Sequence, residues 1–91
     1  MSPEIEKALR VKCIANDILE LLMEDQTNFS EMDLRNIVEL LARSVNDLTN
    51  IYTGLDEDHG TTLKATIAKM RIGYNTLNYG KMKQRLENES V

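Results

Sequence analysis

Three carboxylates on one face of a predicted helix are the residues best placed to do chemistry. Asp17, Glu20 and Glu24 are spaced by three and four residues, which puts them on the same side of an α-helix. Carboxylate oxygens are ligands that Mg²⁺ prefers, so one interpretation is a metal-dependent hydrolase. A di-metal site between helices needs a matching acidic pair, however, and beyond its first turn the next helix offers only Glu39 and Asp47, which are too far apart. The pattern therefore favours a solvated acidic face.

The segment 56–60, Asp-Glu-Asp-His-Gly, begins like a calcium-binding loop. Acidic residues stand at its first and third positions, where such loops carry ligands. The sixth position should be glycine and the twelfth glutamate, but Thr61 and Ile67 stand there. The sequence thus predicts an acidic turn and no calcium site.

Cys13 and His59 are the only residues of their types. A structural zinc site takes about four Cys or His ligands, so these two residues do not suffice. The four glycines are far apart and form no phosphate-binding loop. We therefore expect no enzymatic activity, no catalytic residue, no metal and no cofactor.

The elements that carry these residues are predicted to be helices. Leu, Glu, Lys and Met are abundant, and the only proline is Pro3. We predict helices at about residues 3–24, 31–53 and 62–87, with short connections that favour antiparallel neighbours. The predicted capping residues are Ser2, Ser30 and either Thr61 or Thr62. The fold class is therefore all-α: an antiparallel helical bundle, one domain over residues 1–91, completed by dimerisation.

A heptad repeat runs along the second helix. Its d positions are Leu34, Leu41 and Leu48, and its a positions are Val38, Val45 and Tyr52. This combination is typical of a parallel two-stranded coiled coil, although fewer than three heptads are present. We expect instead an ordinary bundle helix that faces its own chain.

The third helix carries two apolar faces. One seam consists of Leu63, Ile67, Met70, Tyr74 and Leu77, and the opposite set consists of Ala65, Ala68, Ile72, Tyr79 and Leu86. Two apolar faces require two neighbours, which are either the other two helices or one helix and a second copy. Because so short a chain is marginally stable alone, we expect a homodimer whose interface contains Ile72, Tyr79 and Leu86.

Charge is sorted along the chain. Residues 1–60 carry five Lys or Arg and 13 Asp or Glu, whereas residues 61–91 carry six Lys or Arg and two Asp or Glu. The basic residues flank both seams of the third helix, so we interpret the sorting as complementarity between a positive helix and negative neighbours. The alternative is a nucleic-acid-binding regulator in which Lys81, Lys83 and Arg85 contact phosphates.

The remaining sequence features concern location and class. The N-terminal segment lacks the basic and apolar regions of a secretory leader, and one cysteine suits a reducing compartment. No apolar stretch is long enough to cross a membrane. We expect a cytoplasmic, non-enzymatic interaction module, by analogy a bacterial or phage regulator, adaptor or inhibitor of a larger protein.

Overall fold

Three long helices make up the fold of the computed structural model, which describes residues 2–24 and 28–89. Helix α1 spans Pro3–Leu22, α2 spans Glu31–Thr53 and α3 spans His59–Glu89. No strand occurs within the described residues. The predicted all-α fold class and helical bundle are confirmed.

The first two helices begin at the predicted capping residues, and α1 ends two residues before the predicted position 24. The Ser2 hydroxyl accepts a hydrogen bond from the Ile5 N–H at 3.2 Å, and the Ser30 hydroxyl accepts one from the Asp33 N–H at 3.1 Å. Each bond satisfies a backbone donor that has no partner inside its helix. Gly54 ends α2 at a φ of 78°, a left-handed conformation that is unfavourable for residues that carry a side chain.

Helix α3 starts earlier than predicted and continues further. The Asp58 carboxylate accepts a hydrogen bond from the Thr61 N–H at 3.2 Å, so Asp58 caps the helix and neither threonine does. The predicted cap at Thr61 or Thr62 was wrong because a better acceptor lies just before it. The helix is unbroken through Gly73 and Gly80.

Helix α1 runs parallel to α3 and is tied to it near both ends. Near the start of both helices, the Glu4 carboxylate lies 2.5 Å from the His59 ring. Just beyond the end of α1, the Lys81 ammonium donates to the Glu24 carboxylate at 2.7 Å. A positive α3 beside a negative α1 therefore agrees with the predicted charge complementarity.

Helix α2 runs antiparallel to α3 and is fixed by a half-buried polar cluster. The Asp47 carboxylate accepts hydrogen bonds from the Lys69 ammonium at 2.6 Å and from the buried Thr66 hydroxyl at 3.0 Å. Near the other end of α2, Asp33 lies beside Gly80. The cluster sets the register of α2 on α3, because a shifted helix would leave the threonine hydroxyl and the two charges poorly paired.

Helix α3 is the central helix, because the backbones of α1 and α2 both approach it closely and do not approach each other. No Cα atom of α1 lies within 8 Å of a Cα atom of α2 among the described residues. Side chains of both helices come close over Gly73, where an added Cβ atom would stand 3.0 Å from Ile37 and 4.0 Å from Ile18. The bundle is thus open on the side where α1 and α2 face each other.

The core lies along the predicted inner seam of α3. Leu77 is 0% exposed, and Leu63 and Met70 are also buried, while Ile67 and Tyr74 are half-buried. The residues of α1 and α2 that are buried against this seam are Val11, Ile14, Ile18, Leu21 and Ile37. One face of α3 therefore serves both neighbouring helices.

The heptad of α2 faces α3 only in part. Leu41 and Leu48 are half-buried, but Val38, Val45 and Tyr52 are 65%, 60% and 92% exposed. The expectation that this seam faces its own chain was therefore wrong for its a positions. The apolar arc of α2 is wider than the surface that α3 covers.

The chain exposes more surface than a compact protein of its size. Its accessible surface is 6736 Å², whereas the usual scaling gives about 5,400 Å² for a monomer of this mass. Its radius of gyration is 15.3 Å, against about 12 Å for a compact domain of this length. Roughly 1,300 Å² of additional surface therefore meets solvent.

Candidate interaction surface

The side of α3 that faces away from both neighbours carries a stripe that is apolar at all but one of its positions. Its seven residues alternate at spacings of three and four, and we call them the outer face of α3. They are Ala65, Ala68, Ile72, Asn75, Tyr79, Met82 and Leu86. Every one of them is exposed. The predicted interface residues Ile72, Tyr79 and Leu86 therefore lie on one surface and are 57%, 70% and 64% exposed.

A cleft of 970 Å³ runs beside the outer face on the side of α2. Phe29 and Asp33 form one wall of this cleft, and Ile72 and Tyr79 form the other. The cleft exists because α2 starts close to Gly80, where no side chain intervenes. A partner side chain that packs on Tyr79 therefore also finds a pocket next to it.

A second cleft, of 790 Å³, lies on the side of α1. It is lined by Leu9, Cys13 and Asp17 of α1 and by Arg71 and others of α3. Asn75 of the outer face lines both clefts. The outer face is therefore a ridge between two grooves, a shape that can enter between the side chains of another helix.

Basic side chains border the outer face on both sides. Lys64, Arg71 and Arg85 follow one border, and Lys83 lies on the other. All four are exposed, and none forms an ion pair within the described part of the chain. No acidic residue occurs between positions 61 and 86. The outer face therefore combines an apolar centre with positive edges.

The residues of the alternative phosphate-binding prediction point in different directions around α3. Lys81 points toward α1 and donates to Glu24. Lys83 lines the α2-side cleft, and Arg85, two residues later, is rotated by about 200° around the helix. A phosphate backbone that lies along one side of α3 would therefore not contact all three.

The carboxylates Asp17, Glu20 and Glu24 do not form a common site either. Glu24 accepts from Lys81, and Asp17 lines the α1-side cleft. Among the residues that the structure describes, no group of three or more His, Cys, Asp or Glu side chains is placed to hold a metal ion. The exposed Cys13 and the His59 ring also lie apart, since His59 pairs with Glu4.

Two groups at the start of α3 have shifted pKa values. The hydrogen bond with the Glu4 carboxylate raises the pKa of His59 above 6.5, and the negative charge of Glu4 acts in the same direction. Hydrogen bonds from the Thr61 hydroxyl and N–H lower the pKa of Asp58 below 3.8. Both shifts have structural causes, because these groups cap α3 and join it to α1.

Sequence reasoning missed two residues of the outer face, Asn75 and Met82. The signal was present, since the spacing from Ala65 to Leu86 places a residue at both positions. Asn75 was passed over because it is polar, yet a single polar residue in an apolar seam is a common device for fixing register.

The wider comparisons add no relative. No helix within the described residues is both long and apolar enough to cross a membrane. No protein family, curated protein or solved structure matches this chain. The outer face, its two clefts and its basic edges are therefore the features on which a functional conclusion rests.

Proposed function

We propose that this protein is a non-enzymatic helical interaction module that binds an acidic amphipathic helix of another protein on the outer face of α3. The observation that carries the proposal is the stripe from Ala65 to Leu86, which is apolar at every position but Asn75 and exposed along its whole length. At 1.5 Å per residue the stripe is about 32 Å long, enough for roughly six turns of a partner helix. Exposed apolar stripes of this size usually mark a binding site.

The charges at the edges of the outer face favour a partner of opposite sign. Residues beside the apolar seam of paired helices set partner choice by attraction or repulsion. Here those residues are Lys64, Arg71, Lys83 and Arg85. A partner helix with Glu or Asp at the matching positions would form ion pairs with them.

The same charges disfavour a second α3 as the occupant. Two outer faces packed together would place basic edges beside basic edges, and the helix has no acidic residue with which to offset them before Glu87. The sequence-based prediction that the protein self-associates through Ile72, Tyr79 and Leu86 stays a prediction, and these residues enter the proposal as contacts to the partner helix.

Binding a helix would suit the role of an adaptor, regulator or inhibitor. A module of this kind acts by binding an amphipathic helix that the partner protein would otherwise use for another contact. Tyr79 is the expected anchor, since it is large, exposed and next to the α2-side cleft, and aromatic residues of this kind dominate interface energies.

Calorimetry with designed peptides tests the proposal. One probe is a 21-residue amphipathic helix with Leu at its seam positions and Glu at the flanks, and its control has Lys in place of every Glu. We expect the Glu peptide to bind, the Lys peptide to bind at least about tenfold more weakly, and Tyr79→Asp to abolish binding of the Glu peptide.

Two results would overturn it. The first is equal binding of both peptides, or of neither. The second is tight binding of a DNA or RNA oligonucleotide with an affinity that falls steeply with salt, since that behaviour indicates contacts to phosphates.

A further inference from the structure

A second apolar surface lies on the opposite side of the molecule, where α1 and α2 face each other with their backbones apart. We call it the open face, and its apolar residues come from both helices. They are Ala15, Leu19 and Leu22 of α1 and Leu34, Val38, Leu41, Val45, Leu48 and Tyr52 of α2. Because no Cα atom of α1 approaches one of α2 within 8 Å in the described residues, this side lacks a covering helix.

The direction of these side chains on α2 follows from their position relative to the core. Val38 follows buried Ile37 and Val45 follows buried Ser44, so each is rotated by about 100° from the core line. Asp47, three residues after Ser44, is rotated by about 60° from the core line in the opposite direction, and it binds Lys69 on the side of α3 away from α1. Val38 and Val45 therefore point toward the gap beside α1.

The same reasoning holds for α1. Leu19 follows buried Ile18, and Leu22 follows buried Leu21. Asp17, which precedes Ile18, is turned the other way and lines the cleft next to the outer face of α3. Leu19 and Leu22 therefore point toward α2, and Ile18 and Ile37, which meet over Gly73, form the floor between the two helices.

We infer that the open face binds the open face of a second copy, so that α1 and α2 of two chains form a four-helix layer with an α3 on each outer side. The amount of surface fits. The roughly 1,300 Å² that the chain exposes beyond a compact monomer is shared between the open face and the outer face of α3, and it exceeds the roughly 800 Å² that a standard interface takes from each partner. An interface made of the same patch on both chains is the commonest arrangement in homo-oligomers.

Charge also favours a second copy here and disfavours it on the outer face of α3. The charged residues that border the open face include Lys12, Glu31 and Arg35, so both signs are present along its edges. Two copies can therefore meet without the repulsion that the basic edges of α3 would cause. Since the two faces lie on opposite sides, the dimer leaves both outer faces free for partner helices.

Sedimentation equilibrium of the full chain tests the inference. We expect the wild type to have twice the 10.4 kDa chain mass. Val45→Glu buries an unpaired charge in the proposed interface and should weaken the dimer by about a hundredfold or more. Tyr79→Glu introduces the same charge on the outer face of α3 and should stay dimeric. Val38→Glu gives a second, independent variant, and circular dichroism checks the helix content of all three.

A monomeric wild type would overturn the inference, and so would dissociation caused by Tyr79→Glu. Because Val38 and Val45 are mostly exposed, a loss of helix content in both glutamate variants would contradict their position and the inference with it. The result is independent of the partner proposal, which concerns the other face and is read from peptide binding.

Discussion

Two substitutions two residues apart on α3 separate what holds the fold from what is free to bind. Leu77 is 0% exposed on the inner seam, whereas Tyr79 is 70% exposed on the outer face. Leu77→Ala removes three carbon groups from the core, worth about 2.4 kcal/mol in transfer free energy, and the remaining cavity raises the loss to about 3–4 kcal/mol. Tyr79→Ala leaves no cavity and gains helix propensity, so its effect should stay within about 0.5 kcal/mol.

Urea unfolding followed by circular dichroism measures both free energies. With a slope of about 1 kcal/mol per molar urea, Leu77→Ala should lower the midpoint by about 3 M and Tyr79→Ala should move it by less than about 0.5 M. Domains of this size have unfolding free energies of roughly 5–14 kcal/mol. The extra exposed surface places this chain near the lower limit, so Leu77→Ala should be partly unfolded even in water.

All samples must have the same protein concentration, because dimerisation would make the midpoint depend on it. Equal losses in the two variants would refute the assignment of inner and outer faces. So would a larger loss for Tyr79→Ala, since an exposed side chain with no core contact has no means of supporting the fold.

Three further predictions concern the polar contacts between helices. Asp47→Ala should cost about 1.5–3 kcal/mol in unfolding free energy, because it removes a charge-assisted acceptor from a half-buried cluster. The control is Glu39→Ala, which removes only an exposed ion pair and should cost less than about 0.5 kcal/mol in the same urea assay. Glu4→Gln should lower the pKa of His59 in an NMR titration. The pKa of His59 in the folded protein lies above its ordinary value of 6.5. The stabilising effect of the contact with Glu4 is therefore present below pH 6.5 and disappears as pH rises through the folded pKa. A wild-type unfolding free energy that does not change with pH in this range would contradict the contact. Asp58→Ala should lower the midpoint of thermal unfolding by removing the cap of α3, and a midpoint that is unchanged would exclude that role.

The helices were predictable because their signals are local. Ser2 and Ser30 cap as expected, since a hydroxyl one residue before a helix reaches the free N–H groups in any tertiary context. The start of α3 was misplaced because two kinds of acceptor compete within a few residues. The geometry of the acidic turn decides between them, and Asp58 is the one that reaches Thr61.

The open arrangement was not predictable from periodicity. Apolar spacing gives the width of an arc on each helix, but the neighbours that cover it are set by the tertiary structure. Val38 and Val45 were therefore assigned to the core, although α3 covers only the line of Ile37 and Ser44. The two apolar faces of α3 were recognised, but only the structure shows that both neighbours share the inner one.

A methyl NMR titration with the Glu-flanked peptide tests the central claim most directly, because it reports where a partner helix binds. The account predicts the largest shifts at Ile72 and Leu86 on the outer face of α3, with Val38 and Val45 on the open face unchanged. The largest shifts at the two valines, or no shifts on the outer face at saturating peptide, would contradict it.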